Sequence, residues 1–304
     1  MTVRYERPVA HSAFYARRLA LLSLVTFVMA WALHRFGPLE TPYFLAVAAI
    51  CTALALTAFY LAILGLVFLW SKGAKGGMAS LEALLLVIMP LSPVVLGTPG
   101  YINRPAIYDI STDIVDPPKW VAEVKADQSW LGPRAEPGAK DRHEQTSAYD
   151  GLTGRRYDGA LDRVYTAARK VALAQGIAIT DERGAPEGAL DEFPPVNPKA
   201  AQTEAVPDSL DNVPVPLPRP EHEETPDVAV NIQEGDPSIQ GVHRTLVFGF
   251  RQDIVIRLRE EAETTLVDVR VATRYGTHDL GSGAALINKY LRALDAELLG
   301  IAGD

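Results

Sequence analysis

Asp253, Arg257, Asp268, Arg270 and Arg274 are the residues whose types and spacing could do chemistry. They alternate with apolar residues, so the face each one occupies can be read. If Ile254, Ile256 and Leu258 face a core, Asp253, Arg257 and Arg259 face away from it. Val267, Val269 and Val271 place Asp268, Arg270 and Arg274 on that same second face. The charged stretch Glu260 to Glu263 joins the two runs as a hairpin. A turn centred between Glu261 and Ala262 sets Asp253 opposite Arg270 and Arg257 diagonal to Asp268.

Such a face supports three chemistries. The first is a ladder of exposed ion pairs, each worth about 0.5 kcal/mol. The second is an anion site in which Arg270 and Arg274 adjoin the turn Tyr275 to Gly281. Its glycines and the following helix N-terminus could offer N–H groups to a carboxylate or phosphate. The third is hydrolysis, with His278 as general base and Asp279 or Asp268 orienting it. Asp279 fits a helix cap equally well, and Ser282 lacks a nucleophile elbow.

Other chemistry finds little support. The six histidines, at 11, 34, 143, 222, 243 and 278, show no paired metal spacing, so a zinc site is not expected. Asp109, Asp113 and Asp116 do not match a calcium loop, and Pro117 and Pro118 follow at once. No Walker or dinucleotide glycine pattern occurs. The single Cys51, inside an apolar run, excludes a disulfide framework and a Cys-based metal site. No metal or cofactor is expected, and a net charge of −8 argues against a nucleic-acid partner.

The elements that must position these residues are an α+β two-layer sandwich, helices on one face of an antiparallel sheet, over residues 101–183 and 241–304. Residues 101–157 read as an irregular approach. From Asp158, Leu161, Val164, Tyr165, Ala168, Val171 and Ala172 keep helical spacing up to a stop at Gly176. Ile177 to Thr180 reads as a strand, and Leu246, Phe248 and Phe250 read as strand positions in phase with Ile254. Ile287, Leu291, Leu294 and Leu298 mark a last helix. Between these parts, residues 184–240 hold 11 of the 22 prolines, 12 acidic residues against 2 basic ones, and Phe193 as sole aromatic. That composition predicts a disordered insert, a solvated spacer or a polyproline II ligand around Pro214 to Pro220. The acidity of the chain belongs to this insert, and the remainder is near neutral.

Up to Arg104 the chain carries only eight basic and three acidic residues, between long apolar runs. Three transmembrane helices are expected at about 18–35, 41–70 and 79–99, within residues 1–100, the third kinked by Pro90 and Pro93, with the lipid bilayer as partner. Leu19 to His34 is only 16 residues long, so it spans if its flanking arginines reach the interfaces. Its basic start and the triplet Ala30-Trp31-Ala32 also resemble a signal peptide, although Trp31 favours an uncleaved anchor. Arg4, Arg7, Arg17, Arg18, Lys72 and Lys75 mark the inner side. Residues 35–40 and everything after about 100 then lie outside, which in a Gram-negative bacterium is the periplasm.

The segments DISTDIVDPPKW (109–120), FGFRQDIVIRL and VDVRVATRYGTHDLGSGAALINKYL resemble the bacterial domain of unknown function 1499. Asp109, Thr112, Asp113, Pro117, Pro118, Asp253, Arg257, Asp268, Arg270, Arg274, Gly276, Asp279 and Gly281 match its pattern. Gln252, Val271, Thr273 and Gly283 depart from it, which weighs against a site that depends on hydroxyls or an amide at those positions. The resemblance implies the α+β domain and the same charged strands, and carries no activity. The expected function is non-enzymatic: an inner-membrane protein whose periplasmic domain binds an envelope component, a partner protein or an anionic small molecule. The alternatives are a hydrolase using His278 and an assembly or transport role for the helices.

Overall fold

The structure, a computed structural model, describes residues 8–186 and 236–300. Two helices, α1 (His11–Phe36) and α2 (Thr41–Lys72), are long and apolar enough to cross a membrane, with mean hydropathy 1.7 and 2.3. α1 begins earlier than the apolar run alone suggests, because Arg17 stays helical and pairs with Glu82 at 2.8 Å. Its 26 residues remove the shortfall in length. The helices meet through small side chains: Ala16, Ala20, Ala55, Ala58, Ala62 and Ala83 are all fully buried. Such residues let backbones approach closely where lipid offers no hydrophobic drive for association.

Where three transmembrane helices are expected, two are long and apolar enough by themselves, and the third segment, expected to kink at Pro90 and Pro93, is not a single helix. The third apolar segment is a pair, α3 (Gly77–Leu86) and α4 (Ile88–Asn103), bent by 46°. Pro90 is the cause: it has no N–H for the Leu86 carbonyl four residues back, and its ring clashes there, so the helix breaks after Leu86. The pair still runs between opposite ends of the bundle. At one end Ala10 donates to the Lys75 carbonyl and Lys75 to that of Pro8. At the other, Tyr101 of α4 stacks on His278 with ring centres 5.2 Å apart.

The second unit contains β1 (Asp109–Ser111), α5 (Ala139–Ala148), β2 (Arg155–Asp158), α6 (Leu161–Ala174), β3 (Ile177–Arg183), β4 (Ser238–Arg244), β5 (Arg251–Glu260), β6 (Thr264–Thr273) and α7 (Ser282–Leu298). Its antiparallel sheet runs β1-β6-β5-β4-β3, with β2 also on β6. β1 and β2 take successive stretches of one edge of β6, and β5 takes the other. α6 and α7 cover one face. Val164, Tyr165 and Ala168 from α6 and Ile287, Tyr290 and Leu291 from α7 pack on Ile254, Ile256, Leu258, Val267, Val269 and Val271. The expected core positions of the hairpin are those that fill it.

Arg183 pairs with Ser238, so the ends of the acidic insert meet as neighbouring strands. Ser238, Ile239 and Gln240, which composition groups with the insert, belong to β4. The disorder expected of the insert falls on residues 187–235, which lie outside the described residues.

Leu246, Phe248 and Phe250 are not strand residues. They belong to the β4–β5 connection, closed by bonds from the Thr245 and Gly249 amides to the Phe250 and Thr245 carbonyls. Gly249 has φ +76°, a backbone that turns the chain where Arg35 crowds it. Phe248 and Phe250 leave the sheet and pack on the cluster of Phe27, Ala30, Phe44, Ala48 and Cys51. Trp31 Nε1 donates to the Val247 carbonyl and His34 Nδ1 to that of Phe248, each at 2.8 Å. Trp130 Nε1 reaches the Pro42 carbonyl at 2.9 Å. The domain is thus seated on the end of the bundle formed by residues 31–44.

Candidate functional site

The pairing of β5 with β6 differs from expectation by two positions. Arg257 stands opposite Asp268, Asp253 opposite Ala272, and Val255 opposite Arg270. The turn lies one residue later because the Glu261 amide bonds the Thr264 carbonyl at 2.8 Å and the Thr264 hydroxyl donates to the Glu261 carboxylate at 3.1 Å. The parity survives, so all five charged residues share the face away from the helices.

That face is covered. The segment after β1 cannot become a helix past Pro117 and Pro118, and it lies over the sheet instead. Val121 and Ala122 donate to Gln240 Oε1 at 2.7 and 3.0 Å, and Gln128 Nε2 donates to the Arg274 carbonyl at 3.0 Å. The ladder of exposed pairs expected from the alternation is therefore a set of buried ones: Asp253, Arg257 and Asp268 are each at most 6% exposed.

Each arginine has its own partners. Arg257 reaches Asp268 and Asp116 at 2.9 Å and Asp113 at 3.0 Å. Burial works against its charge, and the bonds and fields of Asp268 and Asp116 outweigh that, holding the guanidinium above its ordinary value. Thr112 donates to Asp268 at 3.2 Å while accepting the Val269 amide at 2.9 Å. Arg270 grips Asp109 with Nε at 3.0 Å and Nη2 at 2.6 Å, donates to the Pro118 carbonyl at 2.9 Å, and lies 5.0 Å from the Trp120 ring centre. Arg274 bonds the Asp253 carboxylate, first by Nε at 3.1 Å, and this partner raises its affinity for the proton. Asp109, Asp113 and Asp116 thus serve as counter-ions to arginines across the sheet. Their number could have pointed there: three carboxylates in one stretch match the surplus guanidinium groups of the strands.

His278 and Asp279 are not joined. Asp279 accepts from the Gly281 and Gly283 amides at 2.8 and 2.9 Å, so its carboxylate satisfies the start of α7 from two residues before the N-cap position, Gly281. Burial raises its pKa, opposed by those same bonds. His278 Nδ1 accepts the Leu280 amide at 3.0 Å, and Asp268 is held by Arg257 and Thr112. Among the described residues no hydrogen bond connects His278 with either carboxylate.

The sequence model of the family described as Protein of unknown function (DUF1499) matches residues 109–294. The chain belongs to this family. The matched stretch opens on Asp109, the partner of Arg270, and ends on Leu294, a fully buried residue of α7. The family region is therefore the α+β domain with its covered ion pairs, and the membrane helices precede it. Neither a curated protein nor a solved structure matches the chain.

One of the five charged residues of this DUF1499 domain, Arg274, also lines an open cleft of about 520 Å³. Arg35, His243, Arg244, Leu246 and Arg251 line it too, and no carboxylate does. Arg244 and Arg251 are direct cross-strand partners. Like charges in that relation repel, so the pair is unfavourable by itself. Among the described residues neither has an ion-pair partner, nor does Arg35. Burial first, then Arg251, Arg35 and Arg274, push the Arg244 guanidinium below its ordinary value. Sequence spacing missed this cleft, because Arg35 comes from a different unit; the stretch His243 to Arg251, with two arginines and no acid, was its local signal.

Proposed function

We propose that this is a multi-pass bacterial inner-membrane protein whose periplasmic α+β domain binds an anionic envelope component. Asp253 is neutralised by Arg274, Arg270 by Asp109, and Arg257 by Asp268, Asp113 and Asp116, and the pairs to Asp109, Asp113 and Asp116 hold the cover on the sheet. Arg274 continues this network into the cleft, where Arg35, Arg244 and Arg251 supply positive charge that nothing in the lining balances. That uncompensated cleft is the observation that carries the reading, since a broken local rule without internal compensation marks a site. The domain rests on residues 31–44, the side that the distribution of basic residues assigns to the outside. The bent pair α3–α4 serves as the third crossing, which brings the chain to that side.

The test is titration of the full-length protein in nonionic detergent with pyrophosphate, read by calorimetry. Arg244→Gln is expected to weaken binding at least tenfold and His278→Ala to leave it unchanged. Equal affinity in wild type and Arg244→Gln would refute the reading, and loss on His278→Ala with folding intact would favour the hydrolytic alternative.

A further inference from the structure

The cleft has an apolar rim as well as a cationic floor. Arg35 is in the last turn of α1, where the apolar span ends, and Phe36 beside it is 77% exposed. Leu246, in the cleft lining, is 84% exposed, and Val247 60%. The next residues of the same loop, Phe248 and Phe250, are packed into the end of the α1–α2 pair. The loop therefore holds bare apolar side chains at the level where the helices leave the hydrocarbon, directly beside four arginines. Water-soluble anions have no use for such a rim. A molecule with a phosphate next to acyl chains matches both parts at once, because guanidinium forks suit phosphate oxygens and the apolar side chains suit the chain region below.

We propose that the cleft holds the phosphate of an anionic phospholipid in the outer leaflet, with Arg35, Arg244 and Arg251 on the phosphate and Leu246 and Val247 against its acyl chains. This inference rests on the anion-binding reading above and names its ligand class. Occupancy relieves the repulsion between Arg244 and Arg251 and ties the domain to the bilayer at a second point, beside its covalent link through α4. A lipid so placed orients the domain relative to the membrane plane.

The experiment uses the full-length protein in nonionic detergent, titrated with fluorescent phosphatidylglycerol, with phosphatidylcholine, and with inorganic phosphate. Phosphatidylglycerol is expected to bind at least tenfold tighter than phosphatidylcholine. The double variant Arg244→Gln, Arg251→Gln is expected to lower that affinity at least tenfold. Val247→Asn, an uncharged change at a side chain that is 60% exposed and outside the cleft lining, is expected to lower lipid affinity while leaving phosphate affinity unchanged. Lipid binding indifferent to all these substitutions overturns the inference. Inorganic phosphate that binds through Arg244 while the lipid adds no affinity also overturns it, but leaves the anion-binding reading standing. If neither probe depends on Arg244, both fall. If the lipid binds only after Glu221→Gln, Glu223→Gln and Glu224→Gln, the occupant is this chain's own acidic insert, and the lipid inference is overturned.

Discussion

Arg257 of β5 lies directly across from Asp268 of β6, its guanidinium 2.9 Å from that carboxylate and beneath Asp113 and Asp116. Pairs of this kind hold the irregular segment onto a sheet that carries helices on its other side.

Removing one partner of a buried pair leaves the other uncompensated, which costs about 3–5 kcal/mol. Asp268→Ala and Arg257→Met are each expected to destabilise the full-length protein by that order, measured by urea denaturation in detergent. The double variant is expected to lose clearly less than the sum, since neither charge is then stranded. Strict additivity would show that the pair is not coupled.

Arg270 makes a forked contact with Asp109, a bond to Pro118 and a stack on Trp120, three geometries a lysine cannot reproduce together. Arg270→Lys is expected to lower stability by about 1–3 kcal/mol, on the scale of charge-assisted bonds. Faster amide exchange over residues 112–122, with little change in α6 and α7, would locate the effect in the cover.

A methyl group on Gly154 would run into the Asp268 carboxylate and stand 3.0 Å from the Val267 carbonyl oxygen. Both are fixed in place, so Gly154→Ala is expected to destabilise by about 1–3 kcal/mol through overpacking. An unchanged melting temperature would mean that β2 can move off β6.

His243 is half-buried, with Nδ1 3.0 Å from Gln252 Oε1. Burial lowers its pKa, the Gln252 bond opposes this, and Lys289 adds to the lowering. A folded value below the unfolded one of about 6.5 means that the neutral ring's contribution is complete above that pH and lost as pH falls through the folded value. Urea midpoints should therefore drop between neutral pH and pH 5, and His243→Asn should flatten the drop. A parallel pH profile in the variant would assign the effect to other groups.

The proposed orientation predicts that alkaline phosphatase fused after Gly303 is active in a bacterial host. An inactive fusion at normal expression would place the domain on the inner side.

What the residues alone determined were the period-two and helical patterns. They made Ile254, Ile256, Leu258, Val267, Val269 and Val271 core, put the five charges on the opposite face, and marked α1 and α2 as spans. Those properties follow from neighbours along the chain, where side-chain direction is set by backbone geometry. The two-residue shift in register was not legible, since the turn is closed by a Thr264–Glu261 bond that alternation does not encode. The bend in the third apolar segment was legible, since Pro90 and Pro93 mark it, but its extent, a 46° break after Leu86, was not. Tertiary structure decided the rest. It covered the charged face with a segment that has no periodicity, turned Phe248 and Phe250 from expected sheet positions to contacts with α1 and α2, and brought Arg35 to Arg244 and Arg251 across more than two hundred residues of chain. Such contacts depend on how separate units dock, and docking is set by shape and charge that no local pattern records.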